Sequence, residues 1–123
     1  MRTVFRTGLL APILALALLA ATATAGLACN KNFVVYNHSD QTITKFYVSP
    51  HQKDDWEDNV LSDSIEPDTH TRVDMSDDTR EYSIYDVKAI FEDGSKSIGG
   101  KINLCRAQSI YIYADHVTFD DGN

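Results

Sequence analysis

Apolar and polar residues alternate with a period of two over most of the chain after residue 31, the spacing of half-buried strands rather than of an amphipathic helix. The longest such run lies within Arg80 to Ile98, and the rest of the chain is expected to be arranged around it. From Ser83 to Phe91, the residues Ser83, Tyr85, Val87, Ala89 and Phe91 point one way. Tyr82, Ile84, Asp86, Lys88 and Ile90 point the other way. Asp93-Gly94 then reads as a hairpin turn, because Gly takes a positive φ without a steric cost. Ser95 to Ile98 returns along the same strand, Gly99-Gly100 breaks or bulges it, and Lys101 to Leu104 continues it.

Other strands flank this hairpin in the sequence. Asn32 to Asn37 is a first strand of β-branched and aromatic residues, followed by the polar turn Asn37-His38-Ser39-Asp40. That turn also spells an Asn-X-Ser glycosylation sequon, read here as chance. Gln41 to Val48 is a second strand with imperfect alternation; a bulge near Lys45 would bring Ile43 and Phe46 to one side. Ser64-Ile65 is a short edge strand, Glu66-Pro67-Asp68-Thr69 a turn, and His70 to Met75 a strand. Ser109 to Ala114 is the last strand, with Ile110, Ile112 and Ala114 inward and Tyr111 and Tyr113 opposite. Asp115 to Asn123 reads as a polar tail. Six to seven strands at this spacing predict an all-β, antiparallel β-sandwich over residues 29–114.

The N-terminus has a different character. Arg2 and Arg6 precede an apolar core from Leu9 to Ala20, and small residues follow up to Ala25. Residues 1–28 read as a signal segment, cut best after Ala25 with Ala23 and Ala28 as the alternatives, and the two Arg are not adjacent, so general export is implied rather than a twin-arginine route. The core is short for a bilayer span, and no later run is apolar enough to be one. The expected location is periplasmic or secreted. The whole chain has a formal net charge of −7. Without Arg2 and Arg6, nine Lys and Arg face eighteen Asp and Glu, a net charge of −9 on 95 residues. That much negative charge argues against nucleic acid and anionic membrane surfaces as partners.

Two cysteines leave two readings. In an oxidising compartment, Cys29 and Cys105 pair as one disulfide, worth about 3–4 kcal/mol by loop entropy. Alternatively, Cys29 is a lipid-attachment site directly after the leader, although Leu27 sits at −2 and Gly26 occupies the −3 position where such signals carry Leu.

Residues 51–63 are sharply acidic. Trp56 and Val60 are spaced as on one helical turn, so a short helical turn is expected there, pinned by Trp56 and Leu61. Asp54, Asp55, Glu57, Asp58 and Asp63 are the residues that would hold Ca²⁺, with Asp86 or Asp93 joining. Their spacing lacks the ligand ladder of an EF-hand, and the plainer reading is a solvated loop or one that meets a basic partner. Asp86 is read as a structural carboxylate. The four His, at 38, 51, 70 and 116, show no zinc spacing, and no Ser lies in a Gly-X-Ser-X-Gly context. Trp56, Tyr111 and Tyr113 are the aromatic candidates for a surface that binds protein or carbohydrate, with plain packing as the alternative for the tyrosines. No enzyme and no cofactor other than Ca²⁺ is expected. A non-catalytic exported binding module is the function expected. The alternatives are a small secreted hydrolase, with a pocket gathering His51, Asp54 or Asp86, and a structural envelope protein assembling through strand edges.

Several stretches together resemble small exported bacterial proteins of unknown function that are often described only by their signal peptides. These are Asn37 with its turn and Ile43; Phe46-Tyr47-Val48-Ser49-Pro50; Trp56 with Asp58 and Leu61; Tyr85 to Phe91 with Asp93-Gly94; and Asn103-Leu104-Cys105 before a strand. The resemblance spans about residues 32 to 114 and implies a β-sandwich with no established activity. This chain departs from the pattern at Glu57, where Gly is usual, and at Ser83, where Cys is frequent. In the relatives that cysteine is the natural partner of the one matching Cys105, so the resemblance does not supply a Cys29–Cys105 pairing.

Overall fold

The computed structural model describes residues 29–53 and 55–120. The signal-peptide reading of 1–28 lies outside them. Seven strands run in chain order: β1 (Phe33–Asn37), β2 (Ile43–Pro50), β3 (His70–Val73), β4 (Ile84–Phe91), β5 (Lys96–Asn103), β6 (Ser109–Ile112) and β7 (Val117–Asp120). They form a four-stranded sheet, β3-β1-β6-β7, and a three-stranded sheet, β2-β4-β5. Among the described residues there is no helix long and apolar enough to cross a membrane.

Strand β4 lies between β2 and β5, as its alternation predicts. Tyr85, Val87, Ala89 and Phe91 are buried, while Ile84, Asp86, Lys88 and Ile90 are only partly so. Gly94 takes a φ of +87° and its amide donates to the Phe91 carbonyl at 2.9 Å, closing the β4–β5 hairpin. The β2–β4 register slips between Ile43 and Lys45. That bulge leaves both Ile43 and Phe46 fully buried, the outcome expected of it. Facing them across the sandwich are Phe33 and Val35 of β1, Val73 of β3, and Ile110 and Ile112 of β6. The Phe33 and Phe46 rings meet at 6.1 Å between centroids.

Three features differ from the sequence expectation. First, β1 and β6 pair in parallel, whereas every other strand pair is antiparallel. The Cys29–Cys105 disulfide, with Cα atoms 5.4 Å apart, lies beside this pair. Each cysteine stands four residues ahead of its strand, an arrangement that only strands running the same way allow. The bond occupies the Cys29 sulfur that lipid attachment would need.

Second, residues 115–120 do not form a free tail. The Tyr113 amide donates to the His116 carbonyl at 2.9 Å, and β7 folds back on β6. Val117 packs on the core. The predicted last strand therefore ends at Ile112 and is followed by another.

Third, the described residues of 51–63 show no helical turn where one is expected. The Lys53 amide donates to the Pro50 carbonyl at 3.0 Å in a simple turn, and the chain then runs extended beside β2. Asn59 bridges to Tyr47, and Ile65 to Ile43. The Asn59 side-chain oxygen accepts from the Phe46 and Leu61 amides, and the Val60 amide donates to the Phe46 carbonyl. The backbone groups of β2 thus capture a segment whose own helix would have been a single turn, too short to sustain itself. Ser64-Ile65 survives as this lone bridge.

The two sheets approach closely where β5 passes β7. A Cβ on Gly99 would lie 2.7 Å from the Val117 Cβ, so only glycine fits. Nearby, the Ser97 hydroxyl donates to the His116 carbonyl at 3.0 Å. At the same end of the sheet, where Asn37, Ile112 and Val117 lie side by side, the fully buried Asn37 ties three segments together: its Nδ2 donates to the Gln41 and Ile65 carbonyls, and its Oδ1 accepts from Ser39.

Gly99→Ala is expected to destabilise the fold by about 1–3 kcal/mol through overpacking. Urea melts in the wild-type and Val117→Gly backgrounds check the cause. The cost should shrink when Val117 is removed; an equal cost in both backgrounds would exclude this contact.

Candidate functional site

Strand register builds an extended array of aromatic side chains on the surface. The β1–β3 pairing sets Tyr36 opposite His70, and the parallel β1–β6 pairing sets Tyr36 opposite Tyr111. Two residues on, His38 and Tyr113 fall on the same outer face, because strand side chains alternate. Ring centroids are 5.1 Å apart for Tyr36–His70, 5.1 Å for Tyr36–Tyr111 and 5.4 Å for His38–Tyr113. Tyr113 and His116 stack at 4.5 Å, their planes 3° apart, and the His38–Tyr111 pair at 5.5 Å joins the two rows. Six rings from β1 and the residue after it, β3, β6 and the β6–β7 turn therefore gather at one end of the outer face of the four-stranded sheet.

The tyrosines are half-buried and the three imidazoles exposed. Stacked rings turn their faces to one another. The inner rings of the array thus present edges to solvent, with phenol hydroxyls and imidazole nitrogens as the outward chemistry. Tyr111 and Tyr113 are brought together as the sequence suggested, but with four partners that sequence reasoning missed. The signal for them was Tyr36-X-His38 beside Tyr111-X-Tyr113, legible only once the two strands are known to pair.

Trp56 does not join this face. It lies on the outside of the other sheet, where the Lys88 ammonium sits 4.8 Å from the Trp56 ring and 5.0 Å from the Tyr47 ring. Cation–π attraction on both sides of the Lys88 ammonium holds Trp56 against β4. Close by, His51 Nδ1 lies 2.9 and 3.0 Å from the two Asp86 oxygens, and the Lys101 amide donates to Asp86 at 3.0 Å. Asp86 is thus the structural carboxylate expected, anchored at the bulge where Lys101 takes a φ of +59°. The Ser49 hydroxyl is not directed at His51; it donates to the Asp55 carbonyl.

The acidic residues are scattered. Asp54 lies outside the described residues. Asp55, Asp58 and Asp63 are exposed. Glu57 is bound in a two-point pair with Arg80, at 2.8 and 3.0 Å. Among the described residues no three His, Cys, Asp or Glu side chains converge as metal ligands.

Glu57 belongs instead to the exposed end of a partly buried ion network. Lys31, 4% exposed, donates to the Arg80 carbonyl at 2.6 Å and to the Tyr85 hydroxyl at 2.9 Å. Tyr85 in turn donates to Asp78 at 2.7 Å. Arg80 reaches Asp78 through Nε and NH2, both at 3.0 Å. Lys31 and Asp78 stand 3.6 Å apart. The Arg80 hydrogen bonds hold Asp78 far below the usual carboxylate range, with further help from the Tyr85 hydroxyl. Arg80 likewise holds Glu57 down. Burial, followed by the bond to Asp78, pushes the Tyr85 phenol well above its ordinary value.

No protein-family model matches the chain. No curated protein matches it either. Among solved structures, it is similar to an NMR structure of a protein from Eubacterium rectale. The TM-score is 0.57 at 15% sequence identity, over 76% of this chain and 91% of that one. The likeness is one of fold: a β-sandwich of the same general build.

The ion network predicts a pH dependence. Carboxylates lowered in the folded state contribute their full stability above the ordinary value near pH 4 and lose it as pH falls through the lowered one. Stability should therefore decline on acidification below about pH 4. Asp78→Asn strands buried Lys31, so it should cost about 3 kcal/mol at pH 7 and flatten the acid decline. Urea melts of both proteins at pH 7 and pH 3 check this. Equal acid slopes would place the sensitivity elsewhere.

Proposed function

We propose that the chain is a non-catalytic exported binding module that meets a protein partner through the outer face of its four-stranded sheet. The observation that carries the reading is the six-ring array of Tyr36, His38, His70, Tyr111, Tyr113 and His116. Half-buried tyrosines supply large contact area at low entropic cost, and their hydroxyls satisfy polar groups of a partner. Carbohydrate stacking needs open ring faces, which the inner rings have given to each other. Export is supported by the leader-like pattern of residues 1–28 and by the disulfide, which belongs to an oxidising compartment. The resemblance of residues 32–114 to small exported bacterial proteins points the same way. Against a hydrolase stands the His51–Asp86 pair: among the described residues no hydroxyl or thiol bonds the imidazole, and Ser49 bonds the Asp55 carbonyl instead.

Crosslinking mass spectrometry in the producing cells, with wild type and a Tyr111→Ser/Tyr113→Ser variant, tests the proposal. Crosslinks to a partner should map to residues 36–38, 70 and 111–116. The variant, still folded by circular dichroism, should bind the partner at least about 30-fold more weakly, as expected for loss of aromatic hot spots. Crosslinks that map only to the three-stranded sheet would overturn the choice of face. A glycan that binds with the same Tyr111 dependence would overturn the choice of partner.

A further inference from the structure

A second surface lies away from the ring array, where residues 57–60 face residues 74–80. Between them runs an open groove of about 640 Å³, within the range of ligand-binding clefts. Its apolar part is Val48, Val60 and Met75, which continue the hydrophobic core outward. Its walls carry five carboxylates and one guanidinium. That guanidinium, Arg80, is already committed to Glu57 and Asp78. Among the described residues Asp58, Asp74 and Asp77 are exposed on the walls and form no close ion pair, Asp74 feeling only the more distant charge of Arg72. Asp74 accepts the Ser76 amide at 2.9 Å, which orients the carboxylate but leaves its charge.

The groove therefore combines an apolar floor with walls whose five carboxylates outnumber their one guanidinium. A metal ion would leave the floor unused, and the described residues show no converging ligand set. An anionic polymer is repelled. The complementary occupant is an amphipathic cationic chain. We propose that the groove docks a basic stretch of polypeptide, one apolar side chain seated on Val48, Val60 and Met75 and flanked by Lys or Arg facing Asp58, Asp74 and Asp77. The site is separate from the ring array and stands independently of it.

Fluorescence anisotropy with a labelled Lys-Lys-Leu-Lys-Lys peptide tests the proposal on the chain from residue 29 onward with its disulfide intact. The peptide should bind, and rising salt should weaken it. Replacing its Leu by Gly, or the protein's Asp58→Asn together with Asp77→Asn, should each weaken binding about tenfold. Glu92→Gln, which removes one acid beyond the far end of β4, should leave it unchanged. No detectable binding overturns the proposal. So does equal binding of the Gly peptide, which is bare charge attraction, or equal binding by the doubly neutralised protein. Calcium binding that the double replacement abolishes would make the groove an ion site and also overturn it. None of these outcomes bears on Tyr111 or Tyr113, so the two surfaces fail or stand separately.

Discussion

The parallel contact between β1 and β6 sets the geometry of almost everything else. It joins the first strand to one that follows most of the chain, so its closure entropy is large. Parallel pairing is also slightly weaker per residue than antiparallel. The structure reinforces it at both ends. The disulfide ties the incoming segments, and the His38 amide donates to the Ile112 carbonyl at 2.7 Å beyond the far end of β1. Only this pairing places Tyr36 beside Tyr111. Reversing β6 would change that register and dissolve the ring array.

The N-terminal segment is fixed by a second device just beyond Cys29. Lys31 is a cation in a nearly dry site, an arrangement that costs several kcal/mol unless it is compensated. Tyr85 makes the compensation work. Its ring fills the core from β4, while its hydroxyl accepts from Lys31 and donates to Asp78. One side chain thereby connects the middle strand of the smaller sheet to the segment leading into β1 and to the β3–β4 connection. The charges specify how the two sheets and their connections are seated, while the apolar core supplies most of the favourable free energy.

Local features were legible in the sequence because their causes are local. The alternation of β4, the Asp93-Gly94 turn and the bulge near Lys45 each depend on a few neighbouring residues. The class of fold followed from counting such runs. What escaped depends on distant pairing. In the sequence β7 looks like tail because Asp115 and Asp120 mask the short triplet Val117-Thr118-Phe119, and its stability comes from β6 and from the space left at Gly99. Loop 51–63 looked helical from Trp56 and Val60, yet these residues serve opposite sides of the sheet, one over Lys88 and one on the core. The sequence named two of the six rings on the outer face, since the other four reach it through strand register. The acidic residues were visible as a cluster, but their partners were not: nothing near Glu57 in the sequence announces Arg80.

The segment from Asn59 to Ile65 has one more consequence. By bonding to Ile43 and Phe46, it engages backbone groups that β2 would otherwise turn toward a neighbouring molecule. A sheet with such a margin left bare invites ribbon growth. Here a second chain would first have to peel away Asn59 and Ile65 and expose Ile43. On that flank the outward backbone groups of Ile43 and Phe46 already have partners within the chain.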